Sequence, residues 1–291
     1  MIVPADPVLS RFRIALTYFW RHDRWPCFDH PQTFTELVQR RKLKDRDARL
    51  PVLSDKVRVK RHVAQTLGDE WVIPTYWSGE TLPMQAEWPS PYVVKSRHGC
   101  NQNIFVHSPD VDFAGVRKAA HRWLRSGYGY WLDEWLYSQV PAGILVEPFI
   151  GRAQRLPLDY KIYVFGGRAE FIQVHLDRGG RHRWIIFDRD WRRVSAQTSD
   201  ADPIPPRSLT VMLDAAEALG RDFDFVRVDL YDVDTGPKFG EMTFYPGSGL
   251  DPFRPVALDG QMGALWRQAQ SSMPVRPPQL TPVGAMLPAI A

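Results

Sequence analysis

Two short runs late in the chain carry the residue types that a hard cation and a phosphate chain require. Phe225-Val226-Arg227-Val228-Asp229-Leu230 and Phe239-Gly240-Glu241-Met242-Thr243-Phe244 set charged or polar positions among apolar ones, with the two-residue period that puts alternate side chains of a strand on one face. Arg227 and Asp229 then point the same way, as do Glu241 and Thr243. If the runs pair as antiparallel neighbours, Asp229 and Glu241 face one cleft. Magnesium commonly takes one or two carboxylates and completes its oxygen shell from substrate phosphates. The plainer alternative is a hairpin with solvated acids, but charges in such apolar company are costly unless paired or metal-bound.

Two further segments have phosphate and nucleotide chemistry in reach. Tyr92-Val93-Val94-Lys95 ends in a lysine, and the polar loop Ser96-Arg97-His98-Gly99-Cys100-Asn101-Gln102-Asn103 follows. An ammonium and turn amides can hold phosphate oxygens, although the spacing is not that of a Walker loop and a solvated strand end fits it too. Val146-Glu147-Pro148-Phe149-Ile150-Gly151 reads as a strand leaving the core for a linker. Such a junction exposes backbone groups to an adenine and a carboxylate to a ribose hydroxyl; a bland strand end is again the alternative. Arg178 and Arg183, in Asp177-Arg178-Gly179-Gly180-Arg181-His182-Arg183, would with Arg227 clamp a substrate carboxylate or phosphate bidentately, unless that loop is merely solvated.

Those residues need strands and lobes to hold them. Residues 8–50 read as helices, with Phe12, Leu16 and Phe19 at helical spacing and Thr33 to Leu37 as a cap and first turn. Another helix runs from Ser54-Asp55 through Lys56, Val59, Val63 and Leu67. Trp71 to Pro74 and Tyr92 to Lys95 are β-like, Phe113 to Leu136 is helical, and Gly143 to Glu147 is a strand. Tyr160–Phe165 and Ala169–Val174 around Gly166-Gly167 form a hairpin. A strand at Trp184–Phe187 and a helix at Leu209–Leu219 precede the final strand pair. Hairpins with segregated helices predict an α+β fold. We expect a helical N-terminal segment (1–53), one lobe with the phosphate loop (54–150), one with the metal site (151–270), and a proline-rich, poorly ordered tail (271–291).

Composition narrows the class. Hydrophobic residues make up 44% and charged residues 24% of 291, enough apolar material for a real core. The excess of 37 basic over 33 acidic residues suits an anionic small molecule and is too dispersed for a nucleic-acid stripe. Two cysteines give neither a disulfide framework nor a zinc quartet. With no signal-peptide pattern and no apolar run of about 20 residues, the expected location is the cytoplasm, with peripheral association to membrane machinery left open.

In order along the chain, Ser54-Asp55-Lys56, Val93-Val94-Lys95 with His98-Gly99, Glu147-x-x-Ile150, Asp159-Tyr160-Lys161, Arg227-x-Asp229 and Gly240-Glu241-x-Thr243-x-x-Pro246-Gly247 resemble the ATP-grasp superfamily. Within it they resemble the TupA-like proteins linked to teichuronopeptide and other surface-polysaccharide synthesis. The resemblance spans Phe28 to Trp266 and implies two α+β lobes with ATP between them. It implies Lys56 and Lys95, with His98 and Gly99 of the loop, at the ATP phosphates; Glu147 and Ile150 at the adenine hinge; and Lys161 at the transferring phosphate. Asp229 and Glu241 would hold magnesium, Thr243 stands where relatives place an asparagine ligand, and Arg227 would join Lys161 in catalysis.

Two departures stand out. The family's His-Gly-Ser-Gly loop reads His98-Gly99-Cys100-Asn101 here, losing a glycine, and about 50 residues before Lys56 cannot hold a Rossmann-like front domain, so part of the acceptor site must be built otherwise. The activity implied is an ATP-dependent carboxylate–amine ligase working through an acyl phosphate, with small carboxylate and amine substrates such as an amino acid and a uronic acid. The alternatives are a glycosyltransferase, for which Asp229 and Asp232 superficially imitate an Asp-x-Asp pair, and a non-catalytic nucleotide-binding protein.

Overall fold

The computed structural model describes residues 7–125, 129, 131–176, 183–199 and 201–273. Helices α1 (Pro7–His22), α2 (Phe34–Lys44), α3 (Arg49–Ser54) and α4 (Val59–Leu67) come first. Strands β1 (Trp77–Gly79), β2 (Tyr92–Ser96), β3 (Asn103–Val106) and β4 (Ile144–Pro148) form an antiparallel sheet in the order β1-β4-β2-β3, with α5 (Phe113–Arg125) on it and the short α6 (Trp135–Ser138) before β4. Strands β5 (Asp159–Phe165), β6 (Arg168–Leu176), β7 (Arg183–Asp188), β8 (Phe225–Val233) and β9 (Gly236–Thr243) form a second sheet ordered β7-β6-β5-β8-β9, with α7 (Leu209–Gly220) and α8 (Ala257–Ser272) beside it. The chain is α+β, as its pattern predicts.

The hairpin at Gly166-Gly167 forms because both glycines take positive φ, 56° and 82°, as a two-residue type I′ connection requires. Its strand β5 then pairs with β8, which pairs with β9. Each strand of the expected final pair is present, and Asp229 stands directly opposite Glu241 in the register.

Helix α2 begins with a full capping box: Thr33 accepts from the Glu36 amide while Glu36 accepts from the Thr33 amide. Its Phe34, 1% exposed, is ringed by Tyr163, Phe165, Phe225, Phe253 and Trp266 at centroid distances of 4.9–6.2 Å. Helix α8 approaches so closely that a Cβ on Gly263 would lie 2.3 Å from the Gln32 carbonyl oxygen. Helices α2, α3 and α4 thus share the core of the second sheet, through Phe34, Leu37, Val38, Leu50, Leu53, Val59 and Val63. Arg41 of α2 donates to the Phe225 carbonyl at 2.9 Å, pairs with Asp224 and lies 4.4 Å over the Trp266 ring.

Three local expectations are corrected. Trp71 to Pro74 is not a strand: Gly68 at φ 106° ends α4, Asp69–Trp71 make a 3₁₀ turn, and the burial of Trp71 and Ile73 is packing rather than ladder pairing. The helix expected from Phe113 to Leu136 stops at Arg125; beyond it Gly129 and Asp133 take positive φ, which breaks a helix. Phe12, Leu16 and Phe19 do lie on a helix, but on its solvent side, while Ile14 and Tyr18 face the core. Of the expected tail, Ser271 and Ser272 close α8, and residues 274–291 lie outside the described residues.

Phe34→Ala removes the centre of this aromatic cluster and is expected to cost about 3–5 kcal/mol, read as a lower urea midpoint at unchanged slope.

Candidate functional site

A cavity of about 530 Å³ lies between the two sheets and takes walls from both. From the second sheet, Lys161 on β5, Arg227 and Asp229 on β8, and Glu241 and Thr243 on β9 all face it. From the other side come Lys56, Lys60, Lys95, Glu147 and the loop Gly99–Asn103. Sequence order alone could not say that these groups share a space; the strand registers and the loop bring them to it.

Asp229 is the most constrained of them. It is 2% exposed and accepts from Arg227 Nε at 2.7 Å and Nη2 at 2.8 Å, and also from Lys161. Lys161 pairs in addition with Asp159, 2.7 Å away on its own strand. Burial pushes the Asp229 carboxyl up, but Arg227 and Lys161 outweigh it and bring it down to about 2. The same pairing raises Arg227 against its own burial. Thr243 accepts from Arg227 at 3.2 Å and donates to Glu241 at 3.4 Å, so it orients the more open carboxylate. Glu241 keeps 31% of its side chain exposed.

The opposite wall has a second charge cluster. Glu147 receives Lys95 and Lys60, each at 2.5 Å. Burial pushes Glu147 up and the two lysines together hold it below the usual carboxylate range; burial lowers Lys60. Glu147 is next to last in β4, at the strand end its pattern predicts, but it is 4% exposed and spaces two ammonium groups rather than standing free. Ile150 lines an adjoining recess of about 240 Å³ of mixed polarity, with Val93, Phe105 and Phe149 facing Lys95, Asn101 and Asn103.

The loop after β2 explains its missing glycine. Asn101 takes φ 57°, the left-handed region that asparagine tolerates best after glycine. Lys56 donates to the Gly99 carbonyl at 2.6 Å, and Ser96 Oγ accepts from the Gly99 amide at 2.9 Å. His98 is a correction: it is 5% exposed and lies outside the cavity wall. Its Nδ1 is 3.4 Å from the Gly143 amide and its Nε2 3.3 Å from the Trp123 carbonyl. These partners select the tautomer with the proton on Nε2, and burial lowers its pKa. His98 anchors the loop.

Past β9, Pro246–Gly249 runs through three left-handed residues, Gly247, Ser248 and Gly249, at φ 52°, 56° and 65°. It is braced from α2: Lys42, 1% exposed, donates to the Ser248 carbonyl at 3.1 Å and hydroxyl at 3.0 Å, and Gln39 donates to the carbonyls of Ser248 and Gly249. Glu134, also buried, balances Lys42. Beyond the loop a recess of about 130 Å³ is walled by Phe34, Tyr163, Trp184 and Phe253, with Gln173, His175, Arg227 and Asp251 among its polar groups. Arg183, at the start of β7, is not part of either wall, because its neighbour Trp184 takes the face toward the recess and successive side chains of a strand alternate; Arg178 lies outside the described residues. Asp232 does not join Asp229, being three positions on and so on the other face of β8.

Lys42, Lys60 and Glu134 carried no motif signal, because each works through tertiary partners. Asp159 stood inside a quoted motif, two residues before its partner Lys161. The charges lining the main cavity number five cations (Lys56, Lys60, Lys95, Lys161, Arg227) against six acids (Glu134, Glu147, Asp159, Asp229, Glu241, Asp251). A bare polyphosphate meets no net positive field there, whereas one carrying a divalent cation needs none. Two facing carboxylates and a hydroxyl, all oxygen donors, fit a hard cation that takes its remaining ligands from phosphates and water. Among the described residues there is no group of three or more His, Cys, Asp or Glu side chains arranged as a self-sufficient metal site.

Comparison with known proteins adds a family. The family model described as TupA-like ATP-grasp matches residues 36–267. Solved structures with a similar course include the D-alanine–D-alanine ligase of Bacillus anthracis, at 14% identity and TM-score 0.44 over 76% of this chain and 65% of that one. The VanG D-Ala:D-Ser ligase of Enterococcus faecalis gives 11% and 0.46 over 76% and 61%, and an L-amino acid ligase of Bacillus licheniformis 17% and 0.40 over 69% and 42%. The chain thus spans less than two thirds of each of these proteins. No match is found among curated proteins.

Asp229→Asn would leave Arg227 and Lys161 as buried cations without their shared anion, a loss of about 3–5 kcal/mol at neutral pH. Because the folded pKa lies below the unfolded one, the stability that Asp229 contributes is complete above about pH 4. It is lost as pH falls toward 2. Urea titrations across that range should show a steeper acid decline in the parent than in Asp229→Asn.

Proposed function

The chain belongs to the TupA-like ATP-grasp family, and on that premise we propose that it is an ATP-dependent carboxylate–amine ligase. The observation that carries the proposal is the pairing of Asp229 with Glu241 across β8 and β9, in one cavity with Lys161 and Arg227 and opposite Lys56 and Lys95. Carboxylates for a cation and cations for a phosphate chain are what phosphoryl transfer asks of a protein.

In this reading Lys56, Lys95 and Lys60 hold the ATP phosphates with the amides of Gly99 to Asn101, and the base lies in the recess by Ile150. Asp229 and Glu241 hold magnesium, which when bound neutralises phosphate charge. Lys161 and Arg227 balance the charge that spreads on the transferring phosphoryl group as a substrate carboxylate attacks it. The resulting acyl phosphate is consumed by an amine, releasing phosphate and forming an amide. The aromatic recess beyond Pro246–Gly249 is the place for one of these partners, and Arg227, shared by both cavities, is placed to pair with its carboxylate. The TupA-like resemblance favours an amino acid such as glutamate joined to a sugar or uronic acid in surface-polymer synthesis, a cytoplasmic reaction.

Glu241→Gln tests the metal more cleanly than any change at Asp229, because Glu241 is partly exposed and its loss leaves the Arg227–Asp229–Lys161 cluster in place. At millimolar magnesium it should lower ADP formation about 10²-fold with an unchanged melting midpoint; near-parental turnover would remove Glu241 as a ligand.

The reaction class is read from products. A panel of amino acids and uronic acids with ATP should yield ADP and phosphate in equal amounts, and hydroxylamine should divert the product to a hydroxamate. AMP and pyrophosphate would overturn the proposal, and turnover only with a nucleotide sugar would make the protein a glycosyltransferase.

A further inference from the structure

In the turn after β9 the middle residue is the costly one. Ser248 takes φ 56° and ψ 17°, left-handed backbone that glycine enters freely and a residue with a Cβ does not. Such a residue persists only where its surroundings over-determine it. Here two helices do so. Lys42 of α2 donates to the Ser248 carbonyl and hydroxyl at 3.1 and 3.0 Å. Gln39, one turn earlier, donates to the carbonyls of Ser248 and Gly249 at 2.9 and 3.0 Å. From α1 the His22 ring lies 3.1 Å from the Gly249 carbonyl, and Arg21 donates to the Leu250 carbonyl at 3.1 Å. A Cβ on Gly249 would stand 2.4 Å from Gln39 Nε2 and 2.9 Å from the Thr35 carbonyl oxygen, so the turn is pressed against α2.

The brace includes an ion pair out of solvent. Lys42 and Glu134 are both buried. Glu134 faces Lys42 from just before α6, and the neighbouring Asp133 is itself paired with Arg13 of α1. Burial lowers the Lys42 ammonium and raises the Glu134 carboxyl; each favours the other's charge, and the Ser248 hydroxyl supports that of Glu134. A pair so placed contributes little stability beyond what apolar side chains of its volume would, so folding alone does not account for it.

What the pair holds borders the site. Gly247 lines both the main cavity and the aromatic recess, Ser248 and Glu134 line the first, and Gly249 lines the second. The turn therefore stands between the cavity of Lys161 and Asp229 and the space walled by Phe34 and Trp184, and its position is set from α2.

We propose that Lys42 and Glu134 are positioning residues. Together they keep Ser248 in its left-handed turn, and so fix the border across which the activated carboxylate and the amine meet. For the reaction it serves, this role rests on the ligase reading.

Lys42→Met combined with Glu134→Leu removes both charges and leaves no buried ion without its partner, so the melting midpoint should not fall. The assay uses ATP, magnesium and the amino acid and uronic acid that give the parent most nucleotide product. The double variant should keep the parental KM for ATP and lose about tenfold or more in kcat/KM for the other two substrates. Adding Ser248→Gly, which lets the turn stand without its brace, should recover most of that loss. Ser248→Val in the parent, which keeps the ion pair but disfavours left-handed backbone, should reproduce the loss. Parental kcat/KM in the double variant, an equal loss toward ATP, or no recovery on adding Ser248→Gly would overturn the proposal. These are ratios among variants and can be read from either nucleotide product, so AMP in place of ADP would overturn the ligase reading without deciding this one.

Discussion

Asp229 lies almost fully buried between a guanidinium and an ammonium, and an ion so placed is kept only while both neighbours keep their positions. That requirement reaches across three strands. Lys161 must arrive from β5 and Arg227 from the same strand as Asp229, while Glu241 stands opposite on β9 in a register that a one-residue slip would turn outward. The packing of Phe34, Phe225 and Trp266 beneath the sheet can be seen as what holds that register.

The second charge cluster repeats the arrangement on the opposite wall. Glu147 sits between Lys60 and Lys95, so the lysines facing the cleft are already partnered before any ligand enters. A phosphate chain would share these lysines with Glu147. This keeps the ammonium groups spaced apart, and it also limits how far bare positive charge can steer ligands from a distance.

Much of this was legible from residue pattern. Period-two alternation exposed β5, β6, β8 and β9, Gly166-Gly167 marked the hairpin, and the acids at 229 and 241 were found as a facing pair before any register was known. What was not legible depended on partners distant in the chain. The pairing of Glu147 with two lysines was hidden because Lys60 carries no motif. His98 looked like a phosphate ligand because its anchors, the Gly143 amide and the Trp123 carbonyl, are backbone groups that sequence does not advertise. Trp71 and Ile73 imitate a strand because burial, not hydrogen-bond pairing, selects their side chains. The hardest case was α2, which walls the recess beside Pro246–Gly249 through Phe34 and Thr35 and braces that loop through Gln39 and Lys42; helical periodicity alone cannot say which cavity a helix will wall.

The near contact of Gly263 with the backbone at Gln32 to Phe34 has a bearing on synthesis. Thr35 is also tied to Asp259 of α8, 224 residues further on. A ribosome delivers α2 long before it delivers α8, so during translation the start of α2 has neither its aromatic partners nor the helix that closes over it. The sheet of β1 to β4 lies wholly between these two helices in the chain and can pair earlier, since its strands end at Pro148. Such long-range closure is slow and leaves apolar surface waiting. The recess walled by Phe34 and Thr35 together with Phe253 is closed only after the segment leading into α8 has emerged.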